Sequence, residues 1–376
     1  MPPRDDSVRA RPRELGWLAG LAGLLLAVAL GTEPPADRPA LHQGQLEDAL
    51  RRGVDRLIRL QGPDGSWGGG ASEPGQLSRS GRPALALLEA AVELGEPAPL
   101  AAAGRTAEAL HRELPTNPGL VVSENLRFLV EHGRLLDRPE DGRLAASAWS
   151  SLRDAEGKAP DHVLAWRFLA RPGPADLELP GWRNYLLWRA GERVLAARAL
   201  GEDEHAARFG REVFGSWSPK RSAPYWVLGT ASGLEALDGL ADADDSETLR
   251  RHHDRLLVEE ELIAAIPWMD TPHDAHAATQ QAALALRVQL REAPLGSQRH
   301  ARVLEGLGRL IRAQARHGGW PAHFNLADGP LHHESVNWVP DEMLGVGETA
   351  EVDAEVVLTL IEARRYLRGE KRPRRP

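Results

Sequence analysis

The sequence predicts an all-α protein, a closed ring of about six helical hairpins. Three observations lead there. Alanine and leucine dominate, and alternating Val/Ile runs are hard to find, which favours helices over sheet. Charged amphipathic segments alternate with smaller, Ala-rich apolar ones from about Gln45 onward. And the stretch RLIRLQGPDGSW (Arg56 to Trp67) returns 253 positions later as RLIRAQARHGGW (Arg309 to Trp320), so the first and last outer segments end alike. Open solenoids need polar caps at both ends. Matching ends predict instead that they meet.

The 376-residue chain is 42% hydrophobic and 27% charged, a globular profile. Its net charge of -8 gives no general attraction to nucleic acid. Residues 1–40 stand apart. A slightly basic start is followed by the uncharged run LAGLAGLLLAVAL (Leu18 to Leu30) and a polar, Pro-rich stretch. That run is short for a full membrane span and suits a signal-peptide core, with Ala29-Leu30-Gly31 as a cleavage site; an uncleaved signal anchor is the alternative. Either predicts a domain, residues 41–368, working outside the cytoplasm: secreted, periplasmic or membrane-anchored. The basic end, residues 369–376, reads as a solvated tail. With no cysteine, the chain has no disulfide, thiolate zinc ligand, cysteine nucleophile, lipoprotein anchor or internal thioester.

In chain order, the outer segments are LEDALRRGVDRLIRLQ, AAAGRTAEALHREL, GRLAASAWSSLRDA, DEHAARFGREVFGSW, DSETLRRHHDRLLVEEELI and RHARVLEGLGRLIRAQ. Apolar residues recur in them at three- and four-residue steps. Between them lie GRPALALLEAAVELG, SENLRFLVEHGRLL, NYLLWRAGERVLAARALG, YWVLGTASGLEALDGL, HAATQQAALALRVQL and ETAEVDAEVVLTLIEARRYL, each read as a helix with neighbours on most sides. Gly, Pro, Asp and Asn mark the joints, as at Asn117-Pro118-Gly119.

The two copies agree at Gly53/Gly306, Arg56/Arg309, Leu57/Leu310, Ile58/Ile311, Arg59/Arg312, Gln61/Gln314, Gly65/Gly318 and Trp67/Trp320. The pattern Leu-x-x-x-Gln-x-x-x-Gly-x-Trp resembles the QW motif of the squalene–hopene cyclase and protein prenyltransferase superfamily. The resemblance implies an α/α toroid in which Gln61 and Gln314 cap backbone groups at a helix end and Trp67 and Trp320 pack over them. These are structural roles, consistent with the orphan polar groups of a helix terminus.

Candidate chemistry lies elsewhere. Asp242 to Asp245, DADD, matches the Asp-x-Asp-Asp acid of class II cyclases. It precedes a highly charged segment, the context of an N-cap rather than of an apolar acid site. Asp270, His273, Asp274 and His276 crowd the start of an inner helix, with the histidines three apart and able to share a side. They are the candidate catalytic acid–base cluster, and His273 and His276 candidate ligands for a divalent metal; a hydrated helix cap is the alternative. The zinc set of prenyltransferases includes a cysteine, which this chain lacks. Glu124, Asn125, Tyr225, Trp226, Glu348 and Glu351 sit at comparable inner-helix starts. If the ring closes they would converge on one cavity, where aromatic rings beside carboxylates would suit a sugar. Asn184 and Tyr185 share that placement. His252-His253 and His332-His333-Glu334 read as solvated, and 321–347 as a loop over the cavity mouth. No Gly-rich phosphate loop, Gly-x-Ser-x-Gly elbow or His-Glu-x-x-His occurs. The expectation is a toroid binding a small molecule, glycan, lipid or peptide in its centre. The alternative is a toroid enzyme: a carbohydrate-active hydrolase or lyase, or a terpene-type enzyme.

Overall fold

The computed structural model describes residues 43–67, 77–156, 180–214, 226–237, 278–292, 298–320 and 350–369. All lie in the compact unit Leu41–Pro376, which is separate from Met1–Ala40. The Leu18 to Leu30 run, Asp242 to Asp245 and residues 370–376 lie outside the described residues.

Among the described residues there are eleven α-helices, two 3-10 turns and no strand. Six form an inner ring: α2 (Gly81–Leu94), α4 (Ser123–Leu136), α6 (Pro180–Ala199), α8 (Trp226–Leu237), α9 (Ala278–Glu292) and α11 (Ala350–Leu367). Each packs on the next, and α11 packs back on α2. Outside them lie α1 (Gln43–Leu60), α3 (Pro97–Glu113), α5 (Pro139–Glu156), α7 (Asp203–Phe214) and α10 (Gln298–Arg312). The alternation read from the sequence holds in every described hairpin.

Local chemistry explains both helix kinds. In α1 the buried residues are Leu46, Ala49, Leu50, Gly53, Val54 and Leu57, the one-sided stripe of a surface helix. In α2 burial runs from Gly81 to Leu88 without a break, because neighbours stand on all sides. Three inner helices turn outward by the same device. A left-handed residue (Gly95 at φ 69°, Asp137 at φ 53°, Gly201 at φ 78°) sits two positions before the first residue of the following outer helix.

This makes the two faces unequal. The inner-to-outer connections are short: residues 95–96, 137–138, 200–202 and 293–297. The outer-to-inner connections are long: 61–80, 114–122, 157–179, 215–225 and 313–349. The first and last inner helices, α2 and α11, run parallel. Arg82, at the start of α2, pairs with Glu355 near the start of α11, and Arg365, near the end of α11, pairs with Glu89 and Glu93 in the second half of α2. Each long connection leads in sequence to the start of an inner helix.

The repeated motif closes the ring. Gln61 Nε2 donates to the carbonyls of Gly65 (3.2 Å) and Ala102 (2.9 Å) and to Thr106 Oγ1 (3.0 Å). Gln314 Nε2 does the same to Gly318 (2.9 Å) and Ala49 (2.9 Å). Arg105 donates to the Gln61 oxygen and Arg52 to the Gln314 oxygen. Each motif thus ties the end of its own outer helix to the next one: α1 to α3, and α10 to α1. Trp67 Nε1 donates to the Leu57 carbonyl (2.8 Å) and Trp320 Nε1 to that of Leu310 (2.9 Å), both in the last helical turn. So the indole, rather than the glutamine, satisfies the orphan carbonyl of its own helix, and the glutamine bridges outward. The Trp320 ring lies against Gly53 on α1, so the two ends meet.

Gly65 (φ 84°) and Gly318 (φ 95°) cannot be replaced freely. A Cβ on them would meet the carbonyl oxygens of Arg105 at 2.6 Å and Arg52 at 2.2 Å.

Candidate functional site

Each inner helix sends at least one charged side chain toward the ring axis: Arg82 (α2), Arg127 (α4), Glu192 (α6), Glu235 (α8), Arg287 and Arg291 (α9), and Glu355 (α11). Six of these seven are buried, from Glu355 at 1% exposed to Arg82 and Arg127 at 7%, and Arg291 is partly buried. Small residues allow the close approach. A Cβ on Gly191 of α6 would stand 2.2 Å from Ser232 Oγ of α8.

Glu355 Oε2 accepts from Arg82 Nε (2.8 Å) and Nη2 (2.6 Å), and its other oxygen meets Arg287. Arg82 also reaches Glu192, at 3.2 Å. Glu235 accepts from Arg287 (2.7 Å) and Arg291 (3.1 Å). Arg127 stands 3.8 Å from Glu192, an ion pair without hydrogen-bond geometry. Burial and charge compete at each group. Burial pushes the Glu235 carboxyl up, but Arg287, Arg291 and Arg82 outweigh it and hold the group well below the usual range. Burial wins at Glu192, which is raised although Arg82 pulls it down. Burial lowers Arg82 and Arg287, yet their glutamates leave both guanidiniums raised.

These groups surround a small axial cavity lined by Arg82, Leu85, Glu89, Arg127, Glu235, Arg287, Leu358, Ile361, Glu362 and Arg365. Its volume, about 20 Å³ at water centres, holds one or two waters. Among the described residues no aromatic ring lines it.

Of the residues chosen from sequence, Asn125 is fully buried, and its Nδ2 donates to the carbonyls of Leu77 (3.3 Å) and Leu120 (2.9 Å). It joins the two 3-10 turns at the face where α2 and α4 begin. Glu124 lies in the first turn of α4, its backbone against Gly81. Glu351 is half-buried in the first turn of α11, and Trp226 opens α8. Asp270, His273, Asp274, His276, Tyr225 and Glu348 lie outside the described residues, as do His252, His253, Asn184's side chain and His332 to Glu334. Among the described residues no group of three His, Asp or Glu side chains is placed to hold a metal.

The axial Arg and Glu residues were missed from sequence. Their signal was an isolated charge inside an Ala- and Leu-rich helix, such as Arg82 in GRPALALL or Glu192 in LLWRAGERVLAA. A second buried cluster joins three helices further out: Asp141 of α5 accepts from His111 of α3 (2.5 Å) and His132 of α4 (2.7 Å).

No family model matches the chain, and no curated protein matches it. Solved structures do. A variant of the type II terpene cyclase MstE from Scytonema, in complex with its substrate geranylgeranyl dihydroxybenzoate, aligns with TM-score 0.55 at 14% identity, over 86% of this chain and 98% of that one. The GH76A α-1,6-mannanase of Salegentibacter sp. HEL1_6 aligns with TM-score 0.56 at 9% identity, over 85% and 98%. An inactive variant of that mannanase in complex with α-1,6-mannotetrose gives TM-score 0.57 at 8% identity, over 85% of this chain and 99% of that one. The chain has the α/α toroid fold. At such identities the likeness speaks for fold, which hosts different chemistries.

Proposed function

We propose that the protein binds a polar ligand of glycan type in the mouth of the toroid, on the face where the inner helices begin. The observation that carries this reading is the ring axis. Among the described residues its lining is charged, with four arginines and three glutamates around the cavity and no aromatic ring. An isoprenoid hydrocarbon would gain nothing from that lining, because buried guanidiniums and carboxylates hold their charge only beside partners. The cavity itself is too small for a sugar, so a hydroxyl-rich ligand would sit above it, over a charged and polar floor. The outer-to-inner connections are the long ones, each leading in sequence to the start of an inner helix, and loops on a rigid scaffold are where binding groups concentrate. The mannanase of the same fold, solved with α-1,6-mannooligosaccharides, makes that class of probe the natural one.

An enzymatic version rests on Asp270, His273, Asp274 and His276. In sequence they end two residues before the start of α9. Working as an acid–base pair, or through a divalent metal on His273 and His276, they would serve hydrolysis or lyase chemistry. The two copies of Gln-x-x-x-Gly-x-Trp are read as QW-type repeats with a purely structural task. The N-terminal segment is read as a signal peptide or anchor that places the toroid outside the cytoplasm.

Calorimetric titration tests the reading, with α-1,6-mannotriose in one cell and geranylgeranyl dihydroxybenzoate in micelles in the other. Saturable binding of the oligosaccharide supports it. Binding of the prenyl compound alone overturns it. For the metal, purified protein should carry a near-stoichiometric divalent ion that is lost in the His273→Ala, His276→Ala double variant. Metal-free wild-type protein of full stability removes that part.

A further inference from the structure

The axial cavity holds more hydrogen-bond donors than the protein satisfies. Arg127 Nη1 and Arg287 Nε are buried with no hydrogen-bond partner, and both side chains line the cavity. Arg127 is 7% exposed and Arg287 3%. Arg287 Nη1 and Glu355 Oε1 are matched with each other as an ion pair. Two open donor atoms, one from each arginine, therefore belong to the cavity lining. Buried polar atoms left open in this way are costly, so natural proteins supply a partner.

The charges around the space agree. Its lining carries the guanidiniums of Arg82, Arg127, Arg287 and Arg365 against the carboxylates of Glu89, Glu235 and Glu362, one positive charge in excess. Behind the lining, Arg291 adds one positive charge, and Glu192 and Glu355 up to two negative ones. With Glu192 ionised these charges balance, and burial, which raises Glu192, tips the balance toward positive. The size restricts the occupant to one or two heavy atoms, since about 20 Å³ at water centres is little more than a single water position.

We propose that the cavity on the toroid axis is a binding site for a single chloride-sized anion, held by Arg127 and Arg287, with Arg82 completing the positive wall. The ion bridges α4 and α9, helices on different sides of the ring, and so ties the inner barrel together at its centre. This site shares the axial charges that motivate the glycan reading but lies within the ring rather than at its mouth. The two tests fail separately, since bromide density reports the ion and oligosaccharide titration reports the mouth.

The test uses the full chain and two measurements. Crystals soaked in sodium bromide should show an anomalous peak between Arg127 and Arg287; a water there, with no anomalous signal, overturns the proposal. Thermal unfolding is followed in sodium chloride and in sodium gluconate at equal ionic strength, gluconate being too large to enter. Chloride should raise the Tm of the wild type along a saturating curve, by about 2 °C at tenfold excess over Kd. Arg127→Gln should fold and abolish that difference, while Arg365→Gln, at the cavity's edge, should keep most of it. A non-saturating rise, or an equal response in Arg127→Gln, marks general ionic stabilisation and sinks the site.

Discussion

The seam where the two motif copies meet and the axis at the ring's centre solve opposite problems. At the seam, the glutamines and tryptophans of the motif are matched. Each glutamine amide donates to two carbonyls, and each indole donates to one. Even the backbone N–H of Trp320 is taken up by Asp353 (2.8 Å), and that of Trp67 by Ser80 (3.2 Å). At the axis, charges are buried in pairs, and donors of Arg127 and Arg287 stay open. A saturated network fixes a fold. An unsaturated one keeps capacity for a ligand at the cost of stability.

The contrast can be tested from its largest expected effect downward. Trp320→Ala removes a fully buried ring and its bond to Leu310, and should lose about 3–5 kcal/mol in urea unfolding. A loss near zero would mean the seam does not close the ring. At the axis, Glu355→Gln strands Arg82 and Arg287 and should cost about 3–5 kcal/mol. If the axis is an ion-pair device rather than a packing core, R82M, E355L and R287M combined should restore much of that loss. Failure of the triple variant to improve on the single one would erase the distinction between the regions.

Gly318→Ala comes next, at about 1–3 kcal/mol, because a left-handed residue must then fit against the Arg52 carbonyl. Gly104→Ala is its control. Nothing lies within 4 Å of that Cβ in the interior of α3, so the change should stabilise by about 0.5–1 kcal/mol. Equal effects of the two would show that the motif glycine needs no special conformation.

The smallest effect is the pH dependence of the axis. Glu235 has a depressed pKa when folded, so its contribution is present above the ordinary carboxylate range and disappears as pH falls through the folded value. Glu192 is raised, so its contribution is present below that range and disappears as pH rises through the folded value. Stability in urea should therefore decline on both sides. Glu192→Gln should remove the decline on the higher-pH side and leave the acid limb. An unchanged profile would show that Glu192 stays charged in the fold.

Much of the scaffold was legible in the sequence. All six inner helices and the five described outer ones were visible, because amphipathic period and composition are local properties. Ring closure was legible through Gln61/Gln314 and Trp67/Trp320, because two distant segments told the same story. The division of labour inside the motif was not, since which atom bonds which carbonyl depends on how α10 lies against α1. The candidate site was read poorly. Asn125 looked like a ligand for the cavity and in fact joins two turns. Arg82, Glu192, Glu235 and Arg287 looked like incidental charges.

What the chain by itself determined is the hairpin order, the unequal connections and the matching ends, since helix period, left-handed corners and motif spacing are written within a few residues. Only tertiary structure decided that Arg82 would meet Glu355, 273 positions away, and Arg287 meet Glu235. Buried charges find partners by geometry across the ring, and no local pattern encodes which helix will stand opposite.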